Sequence, residues 1–306
     1  MTKYAIPGRI NLLIAACVII LAAALLWSAS RLDLVWSIPL GIVFSFVLLT
    51  NYALIHEAAH EMLHGKAGVN WFAGMVLSWL FPSSFTVLRV THIVHHCCNR
   101  TDHEMFDGYY SRDIRTFKFV QWYGILLGLW WPFIPIGNLI LAAVPGLLHS
   151  RPFRQARCTS IAFDDFNTAN LWKVRLEVAL AIVFWVSLFH LLELRWQTLA
   201  VFYAFFAFNW STRQYVTHAF TVRDVRDGAL NLKVSRPMAW ILLQGHWDLV
   251  HHQHPHVPWV YLRELGVHSQ TPVSYWRQYL KLWKGPRLFT GPGPAILPRQ
   301  DYRVME

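Results

Sequence analysis

Residues 10–29, INLLIAACVIILAAALLWSA, carry no charged side chain. As a helix, twenty residues cover about 30 Å, the thickness of a bilayer's hydrocarbon core. The stretch therefore reads as a membrane span. A cleavable leader has a shorter apolar core and a small-x-small cleavage site, whereas this run is longer, lacks a clear site of that kind, and is followed at once by a second uncharged run at 35–55. A third uncharged run covers 119–148. Shorter fourth and fifth runs cover about 174–193 and 196–212, separated by Glu193-Leu194-Arg195. The whole composition agrees. Only 14% of the 306 residues are charged, where a soluble domain carries about 25%.

Lysine and arginine number 27, yet only Arg31 and Arg195 fall in the short loops after runs one and four. The positive-inside rule places those loops outside and nearly everything else in the cytoplasm. Residue 32 is then outside, and residues 160 and 225 are cytoplasmic. The net charge of +10 is explained by a face turned to anionic lipid or to an acidic protein, so no nucleic acid is called for. Run three would be about 45 Å long as one helix, too long for a simple crossing. Pro132, Pro135 and Gly137 lie at its centre, and its flanks are basic at Arg115, Lys118, Arg151, Arg154 and Arg157. It reads as a helical hairpin that dips into the membrane and returns; one long tilted helix is the competing reading. The expected fold is all-α integral membrane, with about four transmembrane helices in two hairpins, a Pro-broken membrane-dipping hairpin and a cytoplasmic histidine-rich cap. Residues 1–306 form one membrane-embedded domain, with a Pro/Gly-rich tail at about 285–306.

Run two leads into His56-Glu57-Ala58-Ala59-His60, the H-E-x-x-H pattern of zinc proteases. Sixteen histidines are present, and they cluster. His92, His95 and His96 stand in THIVHH, His218 in RQYVTHAF, and His246, His251, His252, His254 and His256 in GHWDLVHHQHPHVPW. Residues three and four apart share a helical face, so each group offers two or three imidazoles to one point. Imidazole suits iron, copper and zinc. A zinc hydrolase needs three ligands and an open position, which leaves most of these histidines unused. It would also be expected to offer an aspartate in a later apolar helix, and runs three to five contain none. About eight clustered ligands suit two metals, and Glu57 need not be a general base. A metal transporter is the third class, but these spans are nearly free of the polar or ionisable residues such a path requires. The four cysteines show no paired spacing and read as small buried residues, with a thiolate ligand at Cys97-Cys98 as the alternative.

The ordered set resembles the membrane-bound fatty acid desaturase superfamily of desaturases, hydroxylases, carotenoid oxidising enzymes and alkene-forming decarboxylases. HEAAH (56–60) looks like its first box and HIVHH (92–96) its second. RQYVTHAF looks like the isolated histidine, and DLVHHQHPHVPW (248–259) like the last box. The resemblance spans about 36–262. It implies two non-haem irons held on His56, His60, His92, His95, His96, His218, His251 and His252; the expected location is a bacterial inner membrane, with the active site on the cytoplasmic side by the charge asymmetry. It further implies O2 as co-substrate, a fatty-acyl or other lipid substrate, and a separate electron donor of ferredoxin, rubredoxin or cytochrome b5 type, since the chain has no rubredoxin-like CxxC pairs.

One position departs from the pattern. The family's last box begins with His or Gln, and this one begins with Asp248. Asp248 stands three and four residues before His251 and His252, so in a helix it faces the metal, as a ligand or as an acceptor that orients a histidine. His246 would point elsewhere. Arg89, Arg100 and Arg213 are the candidate anchors for a substrate carboxylate, or contacts for lipid. Desaturation heads the expected reactions, followed by hydroxylation, decarboxylation to a 1-alkene, and carotenoid oxidation.

Overall fold

The computed structural model describes residues 4–151, 153, 163, 166 and 168–302. Its helices are α1 (Gly8–Arg31), α2 (Ser37–Ala59), α3 (Ala67–Leu80), α4 (Phe85–Cys98), α5 (Arg115–Leu126), α6 (Phe133–Ala143), α7 (Thr168–Leu192), α8 (Trp196–Gln214), α9 (Arg236–Ile241), α10 (Asp248–Gln253), α11 (Trp259–Gly266), α12 (Tyr275–Leu282) and α13 (Arg299–Tyr302). Four two-residue strands act as clasps. β1 (Gly108–Tyr109) pairs in parallel with β4 (Arg287–Leu288), and β2 (Leu232–Lys233) pairs with β3 (Val273–Ser274).

Among the described residues, three helical segments are long and apolar enough to cross a membrane: Gly8–Arg31, Leu34–Ala59 and Ala169–Leu192. In α1 the buried residues Asn11, Ala15, Val18, Ala22, Leu26 and Ala29 recur every three or four positions, while Leu13 and Ile20 on the other side are exposed. An apolar helix with apolar residues on its outer side is the pattern of a span. α8 is less apolar and packs lengthwise on α2. Phe44 meets Phe202 at 4.8 Å between ring centroids, and Gly41 leaves room for Phe202 and Phe205.

The loops after α1 and α7 meet at one end of the bundle. Arg31 pairs with Glu193 at 2.8 Å, and Arg195 donates to the carbonyl of Ala29 at 2.7 Å. The two arginines isolated by the charge pattern thus sit together. From that end α2 runs 23 residues, about 34 Å, to the histidines at its C-terminus.

The hydropathy pattern leaves residues 60–91 without a membrane run, and here the structure adds an element. α3 and α4 form an apolar pair bent by 98° at Phe81–Ser84. Pro82 breaks the helix, and Ser84 restarts it by accepting from the Val87 N–H. Glu177 of α7 then binds the start of α4, accepting from Ser84 Oγ, from the Thr86 N–H at 2.9 Å and from Thr86 Oγ1 at 2.8 Å. A buried carboxylate at a helix N-terminus is favoured by the helix dipole. The Nε2 atoms of His60 and His92 lie 2.7 Å apart, so the bend returns the chain to the end it left.

Run three is broken, and of the three breakers Pro132 lies at the break, directly before α6. The break lies between α5 and α6, at Leu127 to Pro132, with Gly128 at φ +75°. Pro135 and Gly137 sit inside α6. Pro135 is tolerated because the first helical turn has no partner for its missing N–H. Gly128 is required because a Cβ there would come within 2.6 Å of the Ala207 backbone. Residue 160, with Arg154 and Arg157, lies outside the described residues.

The tail does not hang free over its described part. Past β4, the Leu297 N–H donates to the carbonyl of Cys97 at 2.9 Å, and Tyr302 is buried against Val94, Cys97 and Cys98.

Candidate metal centre

The helix ends bring eight histidines into two adjoining groups. His56 and His60 from the end of α2, His92 and His96 from α4, and His251 from α10 each place one ring nitrogen within 4.8 Å of the others. Within this group His92 Nε2 lies 3.2 Å from His96 Nε2, and His251 Nε2 lies 3.1 Å from His96 Nε2. His95, His218 and His252 form the second group within the same limit. Helical geometry divides the pairs. Adjacent residues point about 100° apart, so His95 turns from His96, and His252 from His251. The groups touch where the rings of His96 and His252 lie 4.4 Å apart.

Asp248 opens α10, so the segment is helical from that residue on. Its Oδ2 faces Nε2 of His218 at 3.1 Å but makes no well-formed hydrogen bond. Thr217 bonds the side chain, and burial pushes the carboxyl above its usual range. Asp248 therefore adds an oxygen beside the second group.

Several rings are held from behind. Nδ1 of His60 meets the hydroxyl of Tyr302 at 2.7 Å, Nδ1 of His95 meets Glu104 at 2.6 Å, and Nδ1 of His218 meets the carbonyl of Gly228 at 3.4 Å. An acceptor at Nδ1 keeps the proton there and leaves the Nε2 lone pair facing the group. Burial depresses His218 to about 3, and burial with neighbouring imidazoles holds His251 and His252 well below the usual range. These rings are neutral at neutral pH, the form that binds metal. Nε2 atoms 2.7–3.2 Å apart crowd lone pairs that one proton per ring cannot satisfy. The donor set fits cations: imidazole nitrogens throughout, with one carboxylate beside the second group.

Other histidine-region residues are engaged elsewhere. Glu57 is buried and accepts the Trp259 N–H at 3.2 Å, tying α2 to α11. His64 Nδ1 accepts the Lys66 N–H. Asn99 donates to the carbonyls of Val225 and Gly228, and Asp102 pairs with Arg223, so both tie loops together. Cys97 and Cys98 lie in an apolar cluster with Tyr302. His246 joins neither group, but it is buried and lines the neighbouring cavity. Sequence reasoning missed Tyr302 and Glu104. Tyr302 is 242 residues from His60, and Glu104 falls after α4 has ended, so no helical spacing marks either.

Both groups open onto a cavity of about 1110 Å³. His56, His92, His95, His218 and Asp248 form part of its wall, and residues such as Leu49, Phe81, Ile134, Ile140 and Leu141 make much of the remainder apolar.

No individual curated protein matches this sequence. The family model described as fatty acid desaturase matches residues 33–283. That range takes in all eight histidines and Asp248 and stops before α13 and Tyr302. Because the match covers most of the 306 residues, the chain belongs to the fatty acid desaturase family.

Proposed function

We propose that the chain is an O2-dependent oxidoreductase that holds two non-haem irons, one in each histidine group, and acts on the alkyl chain of a fatty acid or lipid, with desaturation as the outcome. The observation that carries this reading is the pair of adjoining histidine groups in the wall of a largely apolar cavity. Hydroxylation, decarboxylation to a 1-alkene and carotenoid oxidation begin with the same loss of hydrogen. They differ in how the substrate is placed.

His56, His60, His92, His96 and His251 would hold one iron, and His95, His218, His252 and Asp248 the other. An alkyl C–H bond is inert to acid, base or nucleophile; iron with O2 supplies the oxidising power that no side chain has. The protein's own work is placement. Tyr302, Glu104 and the Gly228 carbonyl set ring orientation, and Asp248 contributes negative charge to the second group. The apolar cavity wall excludes water and orders a chain beside the histidines.

Electrons come from a separate protein of ferredoxin, rubredoxin or cytochrome b5 type. The net charge of +10 favours an acidic partner. The arginine asymmetry supports a histidine end on the cytoplasmic side, and the membrane proposed is a bacterial inner membrane.

Two measurements test the proposal. Purified protein should contain close to two irons per chain, and His92→Ala, His96→Ala and His252→Ala should lose them together. Gas chromatography–mass spectrometry of lipids and volatiles from expressing cells should reveal a new unsaturated acyl product. A single stoichiometric zinc in active protein would overturn the metal assignment. Alcohols, one-carbon-shorter alkenes or altered carotenoids in place of unsaturated chains would reassign the reaction.

A further inference from the structure

Three arginines stood as candidates for holding a substrate's anionic head, and their surroundings separate them. Arg89 is paired with Glu61, and it does not line the cavity. Arg100 lines the cavity but is buried against Asp107 at 2.6 Å. Arg213, in the last turn of α8, also lines the cavity, and among the described residues no carboxylate pairs with it.

The immediate contacts of Arg213 leave one edge available. Its Nε donates to Oδ1 of Asn209 at 2.8 Å, and Asn209 is itself held by donating to Oγ of Ser45 at 2.9 Å. The rings of Tyr275 and Phe46 lie 5.2 and 5.7 Å from the guanidinium carbon. The Nε edge is thus bonded and aromatic rings flank the group. The two Nη atoms remain, and they form a fork that matches two oxygens. The residue is oriented by its neighbours but lacks a counter-charge, and a partly buried charge without one is costly.

The charges around it set the size of the complement. Glu104 is bonded to His95, Asp107 to Arg100, Asp248 faces His218, and Glu57 accepts the Trp259 N–H. One cation in the cavity wall is left without a carboxylate among the described residues, so the complement is one negative charge. A coenzyme A thioester brings several phosphate charges, whereas a non-esterified fatty acid brings one, on a planar group with two oxygens.

We infer that Arg213 binds the carboxylate of a non-esterified fatty acid, with the alkyl chain laid along the apolar wall and past the histidine groups. The inference rests on reading the cavity as the site of an alkyl chain. It has a geometric consequence. His218 follows Arg213 by five positions, a reach of at most roughly 18 Å even for extended chain, so the head lies on the same side of the molecule as the second histidine group.

The test is equilibrium binding, which does not depend on turnover. Iron-loaded protein in nanodiscs is titrated with a fatty acid, its methyl ester and its coenzyme A thioester, all of one chain length, by displacement of a fluorescent acyl probe. Wild-type protein is expected to prefer the acid over the ester by about 10- to 100-fold, the range of a charge-assisted pair. Arg213→Gln should bind acid as weakly as ester while keeping wild-type ester affinity, and Arg213→Lys should restore part of the preference. An unchanged acid-to-ester ratio in Arg213→Gln overturns the inference. So does wild-type protein that prefers the thioester to the acid, because recognition then lies with the phosphates. If Arg213→Gln does not fold, the wild-type ratios and Arg213→Lys decide the matter. The two readings fail separately. Acid selectivity without any oxidised product leaves the carboxylate site standing and removes the proposed reaction, and oxidised product without acid selectivity does the reverse.

Discussion

Asp248 meets the second histidine group and Tyr302 the first. Asp248 faces His218, and its Oδ2 lacks a well-formed hydrogen bond. Asp248→Ala should lower iron content and activity by at least about tenfold, while His246→Ala, outside both groups, should change them far less. Iron analysis of the two purified variants compares them directly, and equal tolerance would remove Asp248 from the site. Tyr302 acts through another residue, by its hydroxyl on Nδ1 of His60. Tyr302→Phe keeps the ring packed against Cys97 and Cys98 and removes only that bond. It should weaken iron retention about 10- to 100-fold in a chelator titration, with little change in melting temperature. A fall in melting temperature with iron retention unchanged would make Tyr302 a packing residue alone.

At the scale of elements, the break between α5 and α6 is a packing feature more than a proline effect. Gly128 has φ +75° and no room for a Cβ beside Ala207, whereas a Cβ at Gly137 would meet nothing within 4 Å. Gly128→Ala should destabilise by about 1–3 kcal/mol. Gly137→Ala, inside α6, should be neutral or stabilising by up to about 1 kcal/mol. Thermal unfolding in detergent checks the pair, and equal effects would mean that the left-handed turn is not needed. The bend between α3 and α4 has a comparable origin. Pro82 interrupts the helix, and Glu177 fixes where it restarts.

For the whole molecule, the bundle has two distinct ends. One carries Arg31, Glu193 and Arg195 in contact, and the other carries the histidines. Cysteines placed at residues 32 and 194 should be labelled from one face of the membrane and a cysteine at 225 from the other. Labelling of 32 and 225 from the same face would mean that α2 does not cross. The cavity, the two groups and Arg213 all depend on this one-ended assembly, because chain segments 200 residues apart supply the donors.

The sequence by itself determined the class of protein and the cast of donors. Membrane spans are legible because about twenty uncharged residues have few other uses. The helical spacing of His92, His95 and His96, and of Asp248, His251 and His252, is a local property that any helix there would express. What only the tertiary structure decided is the sorting. The division of eight histidines into five and three, the place of Asp248 beside His218, and the hold of Tyr302 on His60 depend on how helix ends meet. The geometry of the α3–α4 bend and of the turn at Gly128 was hidden for the same reason. Pro82 and Pro132 mark the interruptions locally, but the contacts that fix them come from Glu177 for one and the Ala207 backbone for the other, and no local pattern records a neighbour that lies more than 70 residues away.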